Sequence, residues 1–224
     1  MKQWLKSEVV RTVQETPLVR RIWLNISEKL EFTPGQFIVC DLPIHEKRTK
    51  RWRSYSIANN PNQESTIELC VVHLKGGLGS TFLCQKLKKG DFLTHKRPQG
   101  NFVLLENPAS KMVFICTGTG VAPFRSMLQS IIQMKNPPRI ELIFGTRREQ
   151  DILYRTEFEQ LASENSWFSY HVALSREPNW PNYGYVHHIY ERRASEYDNE
   201  THFYLCGWPF VVDECFRRLS EHLK

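Results

Sequence analysis

One stretch restricts the choice of fold more than any other: residues 111–128, KMVFICTGTGVAPFRSML. An apolar run ends at Cys116, a glycine-rich turn of Thr117, Gly118, Thr119 and Gly120 comes next, and Pro123 opens an amphipathic helix. Proline suits a first helical turn, where its missing N–H has no intrahelical partner. Gly118 and Gly120 let the backbone approach a ligand closely. The helix start adds free N–H groups and the positive end of the helix dipole, which together hold phosphate. The spacing is Gly-x-Gly followed by Ala-Pro, short of the full G-x-G-x-x-G pattern. Alone, it fits either a dinucleotide site or a tight strand-to-helix turn.

After Asn107-Pro108 the chain alternates regularly between apolar runs and amphipathic segments. Strands are expected over 112–116, 140–144, 168–174 and 202–205, and helices over 123–135, 154–164, 186–191 and 210–222. Such alternation builds a parallel sheet with helices on its faces, and ligands then sit outside the C-terminal strand ends. Those ends carry Thr117 to Gly120, Gly145 to Arg147, Ser175-Arg176 and Cys206-Gly207. Each supplies glycine, hydroxyl, cation or thiol, the equipment of a nucleotide site.

The first hundred residues read differently. Short strands are expected over 6–15, 18–26, 36–42, 54–58, 66–74, 92–95 and 102–105, broken by glycine and proline. Only 80–87, after Gly76, Gly77 and Gly79, looks helical. This pattern suggests a small antiparallel barrel, which also removes exposed strand edges. The chain therefore divides into domains 1–107 and 108–224.

Composition narrows the class. A hydrophobic share of 41% with 24% charged residues is globular. No stretch approaches the length of a membrane span, and MKQWLKSEVV lacks the apolar core of a signal peptide, so a cytoplasmic protein is expected. The six cysteines form no CxxC, so neither an iron–sulfur cluster nor a zinc site is expected. The formal charge of +6 points to an anionic partner, with much of the excess in HEKRTKRWR (residues 45–53) and around Lys86, Lys88, Lys89, Lys96 and Arg97. That run fits either a solvated loop or a docking surface. No helix-turn-helix, zinc-finger or RNP pattern supports nucleic acid. A small acidic protein or a phosphate-rich cofactor fits better.

Three further motifs lie in the first domain. Arg53-Ser54-Tyr55-Ser56-Ile57 puts a cation and a ring two residues apart, on one face of a strand, suited to a phosphate and a flat ring. Gly76-Gly77-Leu78-Gly79-Ser80-Thr81 opens a short helix and repeats the anion-binding logic. Pro98-Gln99-Gly100-Asn101-Phe102 adds a tight turn.

Together these motifs resemble the ferredoxin–NADP⁺ reductase family over almost the whole chain. RSYS is similar to the family's R-x-Y-S flavin motif, GGLGST to its FAD diphosphate loop, and GTGVAPFRS to its nicotinamide-nucleotide motif. GTRREQDILY resembles the next strand and LCGWP the C-terminal C-G-x-P. The resemblance implies an N-terminal antiparallel β-barrel that binds FAD and a C-terminal α/β parallel-sheet domain that binds NAD(P)H. It implies that Arg53 pairs with the FAD diphosphate and Tyr55 lies against the isoalloxazine. Ser56 then hydrogen-bonds near flavin N5, next to Ile57 of the same motif. Gly77, Gly79, Ser80 and Thr81 surround the diphosphate, while Thr117, Gly118, Thr119, Gly120 and Pro123 receive the nicotinamide dinucleotide. Cys206 sits close to the nicotinamide, and Gly207 leaves room for it. On this reading Ser56, Tyr55 and Cys206 are the catalytic group. Plainer roles stand beside these: Tyr55 as a strand aromatic, Ser80 as a helix cap, Cys206 as a buried thiol. Met127 and Trp23 read as core.

Cofactor choice turns on the strand ends. The second strand of the sheet ends in Thr146-Arg147-Arg148, with no acid for a ribose 2′-OH, and the third in Ser175-Arg176, suited to a 2′-phosphate. NADPH is favoured over NADH, although Glu177 is adjacent. Two departures stand out: Trp208 where the family often has Pro, with the customary Met absent, and an end at Leu223-Lys224 without the terminal aromatic that some members stack on the flavin. Either the ring is less gated or another aromatic covers it.

The function expected is electron transfer from NADPH, or NADH, through FAD to a separate acceptor such as an acidic ferredoxin or flavodoxin. The alternatives are the reductase component of an oxygenase, a flavin reductase, or a non-catalytic flavin electron-transfer subunit or redox sensor.

Overall fold

The structure, a computed structural model, describes residues 4–26, 30–60, 65–106 and 109–222. The junction expected at Asn107-Pro108 and the terminal Leu223-Lys224 lie outside the described residues. The chain forms two compact units, Met1–Leu104 with Ala122–Gln133, and Leu105–Val121 with Met134–Lys224.

The first unit holds strands β1 (Trp4–Thr16), β2 (Val19–Asn25), β3 (Phe37–Asp41), β4 (Trp52–Ser56), β5 (Thr66–Val72) and β6 (Phe92–Lys96). They pair antiparallel in the order β4-β3-β6-β1-β2-β5. Just past β4, Ile57 bridges Leu69 of β5, and the Ala58 N–H donates to the Glu68 carbonyl at 2.9 Å. The two outer strands are thereby tied and the sheet closes into a barrel. Alternation places Ile22, Leu24, Ile38, Cys40 and Leu69 inside, each fully buried. Sequestering each large aliphatic side chain contributes about 1.5–3 kcal/mol.

Helix α1 (Leu78–Thr81) runs on as a π-turn over Phe82–Lys86 and drives Leu83 into this core. Its far end is held by Arg20 of β2, whose Nη1 donates to the carbonyls of Leu83, Cys84 and Leu87 at 3.0, 3.1 and 2.8 Å. A guanidinium there satisfies orphan carbonyls and sits at the negative end of the helix dipole.

The strand expected over 102–105 is absent. Gly100, at φ +122°, turns the chain away from the sheet. Phe102 instead packs edge-on to Phe124 of helix α2 (Val121–Ile131), with ring centroids 5.6 Å apart. The apolar pattern at 102–105 serves packing rather than a ladder. Helix α2 starts two residues earlier than expected, so Pro123 is its third residue, and it stops at Ile131. Within the first unit α2 is fastened by polar contacts. Arg125 Nη1 donates to the Ala58 carbonyl at 2.8 Å and to Glu68 Oε2 at 2.9 Å. Arg21 Nε binds the other oxygen of Glu68 at 2.6 Å. Ser126 Oγ donates to the Asn59 carbonyl, and the Asn60 N–H donates to Gln129 Oε1. Met127 and Trp23 are buried, as expected of core residues.

In the second unit β7 (Lys111–Thr117), β8 (Arg139–Thr146), β9 (Phe168–Leu174) and β10 (Thr201–Cys206) form a parallel sheet in the order β10-β7-β8-β9. β7 and β8 are nearly continuous apolar runs, as strands covered on both faces must be. Helix α3 (Arg155–Glu164) packs on β9, α4 (Val186–Arg192) on β8 and β9, and α5 (Pro209–His222) on β10. Among the described residues no helix is long and apolar enough to cross a membrane.

Glu68 is 2% exposed and Arg125 7%. Replacing Arg125 by Ala strips one partner from a buried carboxylate, a change that costs about 3–5 kcal/mol. Arg125→Ala is expected to lower the urea midpoint by that equivalent, followed by far-UV circular dichroism, with Arg125→Lys intermediate.

Candidate functional site

The flavin-like motif falls on β4. Arg53 and Tyr55 lie opposite Cys40 and Ile38 of β3, so they share one face as the alternation requires. Arg53 is exposed, and its Nη1 donates to the Lys50 and Trp52 carbonyls at 3.1 and 2.7 Å. Its stem rests on the glycine loop: a Cβ at Gly79 would lie 3.1 Å from Arg53 Cγ and 3.3 Å from Leu42 Cδ1. The loop and the cation meet because position 79 has no side chain. This cradle fits a diphosphate, with a guanidinium on one side and a helical start on the other.

The remaining residues of the two motifs divide by what they already bind. Ser80 is 9% exposed, and its hydroxyl is turned inward, accepting the Leu74 N–H at 3.1 Å and donating to the Gly77 carbonyl at 3.0 Å. It therefore shapes the loop. Thr81 Oγ1 is 3.3 Å from His73 Nε2 and half-buried. Tyr55 packs against the barrel core, and burial pushes its phenol well up from its usual range. Ser56 is half-buried, opposite Phe37. Ile57 is fully buried with its N–H bonded to the Gln36 carbonyl at 3.0 Å, so it supports the strand by packing.

In the second unit the strand order reverses between β7 and β10, since the chain runs β7, β8, β9 outward and then returns to the opposite side of β7. Crevices at such reversals are where open α/β sheets bind ligands. The Gly118–Gly120 turn lies there, and so does the turn after β10. A Cβ at Gly120 would lie 2.5 Å from the Cys206 carbonyl oxygen, and one at Gly207 would lie 2.3 Å from Thr117 Oγ1. Thr117 Oγ1 also accepts the Trp208 N–H at 3.3 Å. Gly118, at φ +51°, has open space where a Cβ would stand. Two backbones thus run side by side at the crevice. Pro123 stands in the first turn of the next helix, α2.

Cys206 pairs with Cys116 across the two strands and is half-buried. Burial lifts its thiol to about 11, so at neutral pH it is a protonated, polarizable group rather than a nucleophile.

At the other strand ends the ladder continues past the sheet. The Ser175 N–H donates to the Thr146 carbonyl at 3.1 Å and the Arg176 N–H to the Arg147 carbonyl at 2.9 Å, which brings Ser175 and Arg176 beside Arg147. Next to them Arg148, Glu149, Gln150, Arg155 and Glu177 line an open cleft of about 450 Å³. Arg155 is engaged by Glu149 and Glu159. Tyr154, buried at φ +53°, turns the chain out of this loop into α3.

Three contributors are invisible to motif reading. Arg20, Glu68 and Arg125 reach partners 47 to 67 residues away, and no local spacing announces them. Thr117 is visible as part of a motif, but its contact with Trp208 spans 91 residues.

Comparison with known proteins places this geometry. The oxidoreductase FAD-binding domain family matches residues 8–104 and the oxidoreductase NAD-binding domain family matches residues 114–217. Ferredoxin--NADP reductase B of Sorangium cellulosum is 34% identical over 188 residues, 81% of this chain and 76% of that protein. The anthranilate 1,2-dioxygenase electron transfer component of Acinetobacter baylyi is 32% identical over 95% of this chain and 61% of its own length. The solved Amycolatopsis cytochrome P450 reductase GcoB superposes with a TM-score of 0.89 at 26% identity, covering 98% of this chain and 66% of that one. The chain belongs to the ferredoxin–NADP reductase-like family of flavin- and nicotinamide-binding oxidoreductases. It spans about three fifths of the length of the oxygenase-component relatives that it matches.

Gly120→Ala tests the crevice. The added carbon must displace the Cys206–Gly207 backbone, so NAD(P)⁺ affinity is expected to fall by tenfold or more, while FAD stays bound, measured by calorimetric titration and by the flavin absorbance of the purified variant.

Proposed function

We propose that this chain is an FAD-dependent NAD(P)H oxidoreductase that passes electrons to a separate one-electron acceptor. The observation that carries the reading is the crevice between β7 and β10, where Gly120 and Gly207 allow two turns to touch. Residues 1–107 then form the FAD domain and 108–224 the nicotinamide domain. Arg53, Gly77, Gly79, Ser80 and Thr81 hold the FAD diphosphate: Gly79 and Ser80 offer backbone N–H groups, while Gly77 and Thr81, whose own N–H groups donate to the Leu74 and Gly77 carbonyls at 2.9 Å each, shape the loop. Tyr55, Ser56 and Ile57 border the flavin ring. Thr117 through Gly120, Pro123, Cys206 and Gly207 hold the nicotinamide half. FAD, when bound, would supply the chemistry that links a two-electron hydride donor to one-electron transfer, and the protein would supply orientation and electrostatics. Tyr55 offers a flat, neutral face, Ser56 a hydroxyl for the flavin's polar edge, and Cys206 a neutral thiol of small volume.

NADPH is the preferred donor on the strength of Arg147, Ser175 and Arg176, which lie together at two strand ends. A guanidinium pairs well with a 2′-phosphate and gives nothing comparable to a 2′-hydroxyl. Arg176→Ala is expected to lower kcat/KM for NADPH about tenfold or more and leave that for NADH within about twofold, in steady-state assays with an artificial acceptor. Equal loss with both donors would contradict the assignment.

The acceptor is a small acidic electron-transfer protein, a ferredoxin or flavodoxin, on the evidence of the +6 charge. Complementary charge acts mainly on the encounter rate. Reduction of an acidic ferredoxin is therefore expected to slow steeply as ionic strength is raised from about 0.01 M to about 0.15 M, where the Debye length falls from about 30 to about 8 Å; a rate indifferent to salt would sink this partner. The oxygenase-component relatives favour a second reading, in which the acceptor is an oxygenase. Six cysteines without a disulfide suit a reducing, cytoplasmic setting.

A further inference from the structure

We propose that Trp208 covers the nicotinamide ring in the β7–β10 crevice and holds the oxidised, cationic ring more tightly than the reduced, neutral one. The proposal rests on the dinucleotide site described above and on three features of this chain.

First, the backbone of Trp208 is fixed. Its N–H donates to Thr117 Oγ1 at 3.3 Å, and its carbonyl accepts the Val211 and Val212 N–H groups at 2.9 and 3.1 Å. Gly207, just before it, is pressed against Thr117. The residue is thus anchored to the end of β7, one step from the Gly118–Gly120 turn.

Second, local structure gives no reason for an indole here. Trp208 occupies the capping position ahead of α5, with Pro209 as the first helical residue. Ser, Thr, Asp and Asn are favoured at that position because their side chains bind the free N–H groups, and an indole has no acceptor to offer. Forgoing such a cap forfeits stability that a smaller polar residue would supply.

Third, the ring is not fully committed to the core. Trp208 is 44% exposed, a large flat aromatic whose backbone is hydrogen-bonded to the last residue of β7. Rigid aromatics of this kind give large contact area for little lost side-chain freedom.

The chemistry then selects the occupant. Trp presents the strongest negative face of the aromatic side chains, and cations over it are attracted electrostatically. Oxidised nicotinamide carries a positive ring, and reduced nicotinamide does not. Trp208 therefore adds affinity for NAD(P)⁺ beyond stacking alone, which makes the oxidised product slow to leave.

The test uses FAD-loaded protein and calorimetric titration with NADP⁺ and NAD⁺, each beside the fragment that lacks nicotinamide, 2′-phospho-ADP-ribose and ADP-ribose. Trp208→Ala is expected to weaken the dinucleotides about three- to tenfold and leave the fragments unchanged. Trp208→Phe should restore most of the loss, and Phe210→Ala, an exposed aromatic two residues on, should change nothing. Product inhibition by the oxidised dinucleotide should weaken in parallel in Trp208→Ala. Equal loss for dinucleotide and fragment, or no loss for either while the parent protein binds both, overturns the role of Trp208. A parent protein that binds no dinucleotide overturns the site itself, and this proposal with it.

Discussion

Two turns can lie against each other only where neither carries a side chain at the contact, and the crevice between β7 and β10 depends on that condition. Gly120 faces the carbonyl of Cys206, and Gly207 faces the hydroxyl of Thr117, at separations that no Cβ could share. The contact joins the ends of two parallel strands on either side of the reversal in strand order. What is proposed for the β7–β10 crevice depends on it: a bed for a dinucleotide, a protonated thiol at its edge, and a tryptophan whose backbone N–H is held by the same threonine.

The first unit solves a related problem with charge. A buried carboxylate, Glu68, sits between Arg21 and Arg125 and ties β2, β5 and α2 together. The same guanidinium of Arg125 reaches the carbonyl of Ala58, two residues past Ser56. The strand that carries Arg53, Tyr55 and Ser56 is therefore fixed at its C-terminal end by a helix, and the Gly79 loop presses on Arg53 at the other. Arg20 secures the far end of α1. A loop that ends in so short a helix needs such bracing, because a single turn alone does not make a stable helix.

The division into barrel and parallel sheet is legible in the sequence because strand period, turn residues and the βα alternation all agree. Nearly every expected element forms, with ends shifted by a few residues. The strand over 102–105 fails because an apolar pattern does not say what it packs against, and Phe102 finds a helix. Motif residues are legible as a set, but not the direction in which each side chain points. Ser80 carries the expected hydroxyl and turns it into its own loop. The ion pairs of Glu68 and the threonine lock on Trp208 join residues dozens of positions apart, so only the folded chain reveals them.

The proposed function requires that a nicotinamide donor reduce a flavin held by this chain. The direct measurement is an anaerobic titration of the FAD-loaded protein with NADPH and with NADH, with the visible absorption of the oxidised flavin as readout. Bleaching by both is predicted, complete at lower concentration with NADPH. A yellow protein that neither donor bleaches would contradict the claim and leave a flavin-holding electron-transfer subunit in place of a reductase.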